Sequence, residues 1–192
     1  MGTIVDLWGR TGRGENRLRR LGRMPRADWG KMVAHAGLGV TMAGVAGLTA
    51  WSMDDIRAVP LGGSYDVGRY TVQLDDVKRS QGPNYVSTTG SVTLLHDGAE
   101  IAQLRPEKRF YPVAQMPTTE AAIDYNLLRD VYVVIGDEQA GGGWVVRTYI
   151  KPLTNWIWIG CALMALGGLL SLSDRRYRVA AGAAKTKQVP AQ

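Results

Sequence analysis

Cysteine is almost missing from this 192-residue chain: Cys161 is the only one, so no disulfide can form within it, and there is no Cys-x-x-Cys pair for redox work or haem attachment. No His/Cys/Asp cluster has the spacing of a zinc or iron site. The carboxylates show no paired spacing for acid–base chemistry. Neither a nucleophile motif nor a glycine-rich phosphate loop is present, which leaves no self-sufficient enzyme in view. Internal repeats are lacking too, and low complexity is confined to an Ala/Lys/Gln tail after Val179.

Charge is missing where it matters most. Met32 to Trp51 and Leu153 to Leu172 contain no Asp, Glu, Lys or Arg, and each has about the 20 residues a helix needs to cross a bilayer. The first run begins far into the chain and ends at Trp51 instead of a small-residue cleavage site, so it reads as a span and not as a cleaved signal. Before it stand Arg10, Arg13, Arg17, Arg19, Arg20, Arg23, Arg26 and Lys31. After Leu172 come Arg175, Arg176, Arg178, Lys185 and Lys187, while the segment between carries ten basic and thirteen acidic residues. Basic flanks and an acidic middle place both termini in the cytoplasm and the middle in the periplasm or an equivalent compartment. The net charge of +6 belongs to these flanks; no basic groove with interleaved aromatics suggests nucleic acid. Trp29, Trp51, Trp156 and Trp158 mark the interfaces.

The expected organisation is a basic leader over 1–31, a transmembrane helix over 32–51, a periplasmic β-rich domain over 52–151, a second span over 152–173 and a basic tail over 174–192. Leu18, Leu21 and Met24 fall at helical spacing, consistent either with a segment lying on anionic lipid or with a solvated loop. In the middle, Arg69–Leu74 and Tyr85–Leu95 alternate as half-buried strands do, Asp97-Gly98 offers a tight turn, and Glu100–Leu104 returns. Val131–Ile135 and Trp144–Ile150 form a second pair around Gly141, Gly142 and Gly143. Met116–Ile123 reads as a short helix capped by Thr118 or Thr119. The fold class is therefore integral membrane: two transmembrane helices bracketing a mainly β, antiparallel barrel or sandwich-like domain.

His35 is the informative residue. An ionisable side chain inside a span tends to face protein, water or a cofactor. Gly39, Met42, Ala43 and Ala46 share its side of the helix and are mostly small, so a flat ligand or another helix could approach closely. Two readings stand on the residues alone: axial ligation of haem iron, or a histidine bonded to a neighbouring helix or snorkelling to the headgroups. His96, beside the Asp-Gly turn, reads as an exposed turn residue. Arg109, Trp144 and Arg147 are candidate partner contacts, weighed against solvated arginines and a core tryptophan.

Several runs resemble one family in order: WGKMVAHAGLGV at Trp29–Val40, QGPNY at Gln81–Tyr85, RPEKRFYP at Arg105–Pro112, MPTTEAAI at Met116–Ile123, RDVYVVIGD at Arg129–Asp137, WVVRTYIKP at Trp144–Pro152 and NWIWIGCALMALGGLLSLSDRR at Asn155–Arg176. Together they resemble the C-terminal portion of CcmF, a membrane component of cytochrome c maturation. CcmF proteins are much longer, with a tryptophan-rich periplasmic segment flanked by haem-ligating histidines that this chain lacks. The resemblance implies a part in a haem lyase, non-catalytic alone, which takes haem from the chaperone CcmE and works with a CcmH-type subunit on apocytochrome c. It further implies a haem b held in the membrane by two histidines, with His35 at one ligand position and Gly39 and Ala43 lining its face. The second ligand would come from an N-terminal CcmF portion or a companion subunit. The competing reading is a haem-free two-span adaptor displaying a protein-binding β domain; a transporter half lacks any polar midplane path.

Overall fold

The computed structural model describes residues 24–174. The leader's arginines up to Arg23, with Leu18 and Leu21, and the tail from Arg175 onward lie outside the described residues. Two units emerge: the described residues up to Val45 together with those from Trp156 on, and Ala46–Asn155.

The first unit is helical. Helix α1 (Arg26–Trp51) begins before the apolar run, with Asp28 in its first turn, where a carboxylate favours the exposed amides. Helix α2 (Thr154–Leu172) is the other apolar segment, and both are long and apolar enough to cross a membrane. They run antiparallel along a glycine seam. A methyl placed at Gly30 would sit 2.5 Å from the Gly167 carbonyl oxygen, and one at Gly37 would sit 2.7 Å from that of Gly160. The reciprocal clash holds at Gly167, 2.5 Å from the Ala34 amide nitrogen. Gly30, Gly37 and Gly44 recur every seven residues, as do Gly160 and Gly167, and all five are buried. Close backbone approach through small residues is how helices associate where lipid removes the hydrophobic drive. Beyond α2, the Asp174 carboxylate accepts a hydrogen bond from the Ala27 amide at 3.1 Å.

The second unit is a sandwich of two antiparallel sheets. Strands β1 (Met53–Val59), β10 (Trp144–Pro152), β9 (Arg129–Glu138) and β8 (Ala122–Tyr125) form the first, in that spatial order. The second runs β2 (Ser64–Val67), β3 (Tyr70–Gln81), β4 (Val86–His96), β6 (Glu107–Tyr111) and β7 (Met116–Glu120), with β5 (Ala99–Leu104) also on β4. Strand β4 changes partner near Gly90: Val86–Thr89 pair with β6, and Val92–His96 pair with β5. A methyl at Gly90 would meet the Ile135 Cδ1 at 2.9 Å, so glycine leaves room there for that core side chain.

Alternation decides the core. Val72, Leu74, Val92 and Leu94 point inward from one sheet and meet Val131, Val133, Ile135, Val146 and Ile150 from the other. Between them the Tyr65 and Thr148 hydroxyls share a buried hydrogen bond of 2.7 Å. That pairing answers the polar demand of two groups withdrawn from water.

The capped helix expected over Met116–Ile123 is replaced by strands β7 and β8. Pro117, Thr118 and Thr119 lie opposite Phe110, Arg109 and Lys108 of β6. β-branched threonines suit an extended edge, and the ladder supplies the hydrogen bonds that a cap would otherwise have to provide. The Asp97-Gly98 turn is as expected: both residues have positive φ, 49° and 82°, as a two-residue hairpin of this hand requires. His96 is not a free turn residue; its ring rests against Tyr70 with centroids 4.7 Å apart.

Candidate functional site

On α1 the heptad arithmetic separates two faces. At 3.6 residues per turn, His35 lies about 200° around the helix from Gly37, directly away from the seam with α2. His35, Gly39 and Ala43 are all exposed, and Met42 is 65% exposed. A methyl at Gly39 would find nothing within 4 Å. The stripe identified from the sequence is therefore not used to pack the two helices together. A second set of small residues, the Gly30/Gly37 seam, does that work; its sevenfold spacing is readable in the sequence.

The His35 imidazole is oriented. Its Nδ1 lies 2.8 Å from the Lys31 carbonyl oxygen one turn earlier. A carbonyl only accepts, so Nδ1 carries the proton, and in the neutral ring the Nε2 lone pair is available. Metal-ligating histidines are held in this way, one ring nitrogen donating to a backbone carbonyl while the other binds. With the neighbouring positions Gly39 and Ala43 presenting no bulk, the residues fit a planar ligand bound through Nε2.

In the sandwich, the three candidate contact residues separate. Trp144 is 8% exposed and belongs to the core, with the Arg79 guanidinium 5.7 Å from its ring centroid. Arg109 is a tie within the second sheet. It donates to Glu107 at 2.7 Å and to Glu120 at 3.5 Å and stacks 4.9 Å from the Tyr85 ring centroid. The bond to Glu107 raises the Arg109 pKa and is the main cause holding the Glu107 carboxyl below its ordinary value. Arg147 is different. It stacks on Tyr149 at 4.9 Å, and its buried Nε has no hydrogen-bond partner. Among the described residues no group of three His, Cys, Asp or Glu side chains could hold a metal ion.

An antiparallel β-sandwich inserted between two apolar helices, one of which presents an oriented imidazole, defines a class: a membrane-anchored sandwich domain. Comparison with known proteins narrows it. The family model described as the CcmF C-terminal beta-sandwich matches residues 50–152, and the chain belongs to that family. It is 54% identical to the cytochrome c-type biogenesis protein ccl1 of Rhodobacter capsulatus over 182 residues, covering 95% of this chain and 27% of that protein. To the CcmF protein of Escherichia coli K12 it is 41% identical, over 82% of this chain and 24% of that one. The fold resembles a solved structure named Cytochrome c Heme Lyase CcmF, with a TM-score of 0.60, 21% identity and coverage of 77% and 25% of the two chains. The chain thus spans about a quarter of the length of the relatives it matches. Family membership and two apolar helices long enough to cross a membrane together mark it as an inner-membrane member of the CcmF family.

Proposed function

We propose that this chain supplies one axial histidine, His35, to a haem b in the membrane, and a periplasmic sandwich that organises haem attachment to apocytochrome c. The observation that carries the reading is the geometry of His35. It faces away from the helix seam, its Nδ1–H is engaged by the Lys31 carbonyl, which leaves Nε2 as the ligating nitrogen, and Gly39 one turn on leaves the same face open. When bound there, haem supplies an iron able to pass single electrons. The residues of this chain hold the imidazole tautomer and orientation, and Gly39 and Ala43 let a porphyrin plane approach the helix.

Holding haem between two imidazoles would need a second histidine. His96, packed on Tyr70 in the sandwich, does not serve, so the partner ligand belongs to further CcmF polypeptide or to a companion subunit. The basic flanks around the two spans support an orientation with both termini in the cytoplasm and the sandwich in the periplasm. There it meets the haem chaperone CcmE, a CcmH-type subunit and the apocytochrome.

The test is co-expression with the remaining CcmF polypeptide, reading the reduced b-type absorption band. The band is expected in the co-expressed complex, absent from this chain alone, and lost in His35→Ala. A full-strength band in His35→Ala refutes the ligand assignment. A haem-free adaptor would instead keep cytochrome c assembly in His35→Leu.

A further inference from the structure

The sandwich carries ten Lys and Arg residues between Ser52 and Asn155. Seven of them are ion-paired within the domain: Arg57, Arg69, Lys78, Arg79, Lys108, Arg109 and Arg129. Among the described residues Arg105, Arg147 and Lys151 have no such pair, and the last two lie on one strand, β10, on either side of Tyr149. All three β10 residues point to the outer face of the four-stranded sheet, opposite the buried Val146, Thr148 and Ile150. The ladder lines that face up in rows. Ile56, Arg147 and Val134 are level across β1, β10 and β9; Tyr149, Tyr132 and Ile123 are level across β10, β9 and β8. Arg147 stacks on Tyr149 at 4.9 Å, while Lys151 Nζ lies 5.5 Å from the Tyr132 ring and 5.8 Å from that of Tyr149.

This face has the composition of a recognition surface. Tyrosine and arginine are enriched where proteins meet, and lysine and glutamate are depleted. Ile56 is 51% and Ile123 46% exposed, which puts aliphatic surface beside the aromatic row. The buried Arg147 Nε, with no acceptor, is a donor lacking its partner. Two acids share the face. Asp130 is engaged by the Asn155 amide at 3.0 Å, and Asp54, level with Tyr149, pairs with neither cation.

We propose that the outer face of the four-stranded sheet docks a protein partner that presents a carboxylate beside an apolar side chain. The carboxylate is received by Arg147, with Lys151 adding charge, and the apolar group lies on the Tyr149/Tyr132 row. Strands about 4.8 Å apart and same-face residues about 6.8 Å apart make a four-by-four face of at most roughly 500 Å². Stable pairs bury about 800 Å² per partner, and weak, transient ones less. The face therefore suits a partner that visits during a reaction cycle better than a permanent subunit or a second copy of this chain. It does not depend on His35.

The experiment uses the full chain in membranes of a bacterium that matures c-type cytochromes, with a photo-crosslinking benzophenone amino acid at Ile56 or Val134. The expected product is a protein adduct whose linked peptide contains Asp or Glu within a few residues of the link. Arg147→Glu combined with Lys151→Glu should lower its yield about tenfold or more, and reversing the partner's acid to Lys should restore it. Should the double reversal fail to fold, Arg147→Gln with Lys151→Gln is expected to lower the yield in the same direction. The same crosslinker at Val113, 97% exposed in the β6–β7 loop, should not give this adduct. The proposal is overturned if the link is to lipid or to a second copy, if no adduct forms, or if the charge-altered variants crosslink as well as the unaltered chain. Retention of the b-type band in those variants keeps this outcome separate from the haem assignment.

Discussion

The two units solve opposite packing problems with opposite residues. In the sandwich, large apolar side chains such as Leu74, Leu94 and Ile135 turn inward and are almost fully buried. In the helical pair, glycines turn inward, while Leu38, Met42, Leu166 and Leu169 face outward with 47–65% of their surface open. Water drives the first arrangement. Lipid, as apolar as leucine, offers no such drive in the second, so close approach of backbones takes over. Core therefore means bulk in one unit and the lack of it in the other.

Gly37 and Gly39, two residues apart, test that contrast most severely. Gly37→Leu should part the helices, because even a methyl there lies 2.7 Å from backbone. With Cys161→Ala as background, closure of Arg26→Cys and Ser173→Cys by a bis-maleimide should fail. Gly39→Leu should close normally, yet weaken the b-type band if a porphyrin uses that face.

Leu94→Ala should destabilise the sandwich by about 3 kcal/mol, read by urea unfolding from Trp144 fluorescence, and leave the helix crosslink intact. Loss of the crosslink in that variant would show that the two units do not stand independently. A smaller effect, about 1–2 kcal/mol, follows from Thr148→Val, which leaves the Tyr65 hydroxyl without its buried partner.

The smallest expected effect depends on acid. Glu107 titrates below its ordinary value, chiefly because Arg109 donates to it. A depressed carboxyl stabilises the fold above its unfolded value of about 4.3 and loses that contribution as pH falls through the lower folded one. Arg109→Gln should therefore move acid unfolding of the sandwich upward by a fraction of a pH unit, with little change near neutrality.

The sequence showed most clearly what repeats with a strict period. The β4–β5 hairpin was visible in alternation ending at Asp97-Gly98, and β9 and β10 in their valine runs. Strand β1 was not, because its only fully buried residue is Val59 and its Asp54-Asp55 pair looks like loop. The 116–123 segment misled for a related reason: β7 is an edge strand with no buried residue, so its sequence carries threonine propensity but no alternation. At the membrane, His35 stood out as an ionisable anomaly. The seam glycines did not, since any one glycine is unremarkable and only the sevenfold recurrence on both helices has meaning. The cation-bearing face of β10 was visible only in part, as Arg147. Its partners Tyr132 and Lys151 come together through strand pairing that spacing alone does not reveal.

The Asp174 carboxylate on the Ala27 amide has a mechanical consequence. Two glycine stripes with the same repeat can mesh in more than one phase, since sliding one helix past the other by seven residues, about 10 Å, brings glycine against glycine again. A single buried carboxylate matched to one free amide at the helix start breaks that degeneracy. It acts as a detent that favours one register of the two helices over its seven-residue alternatives.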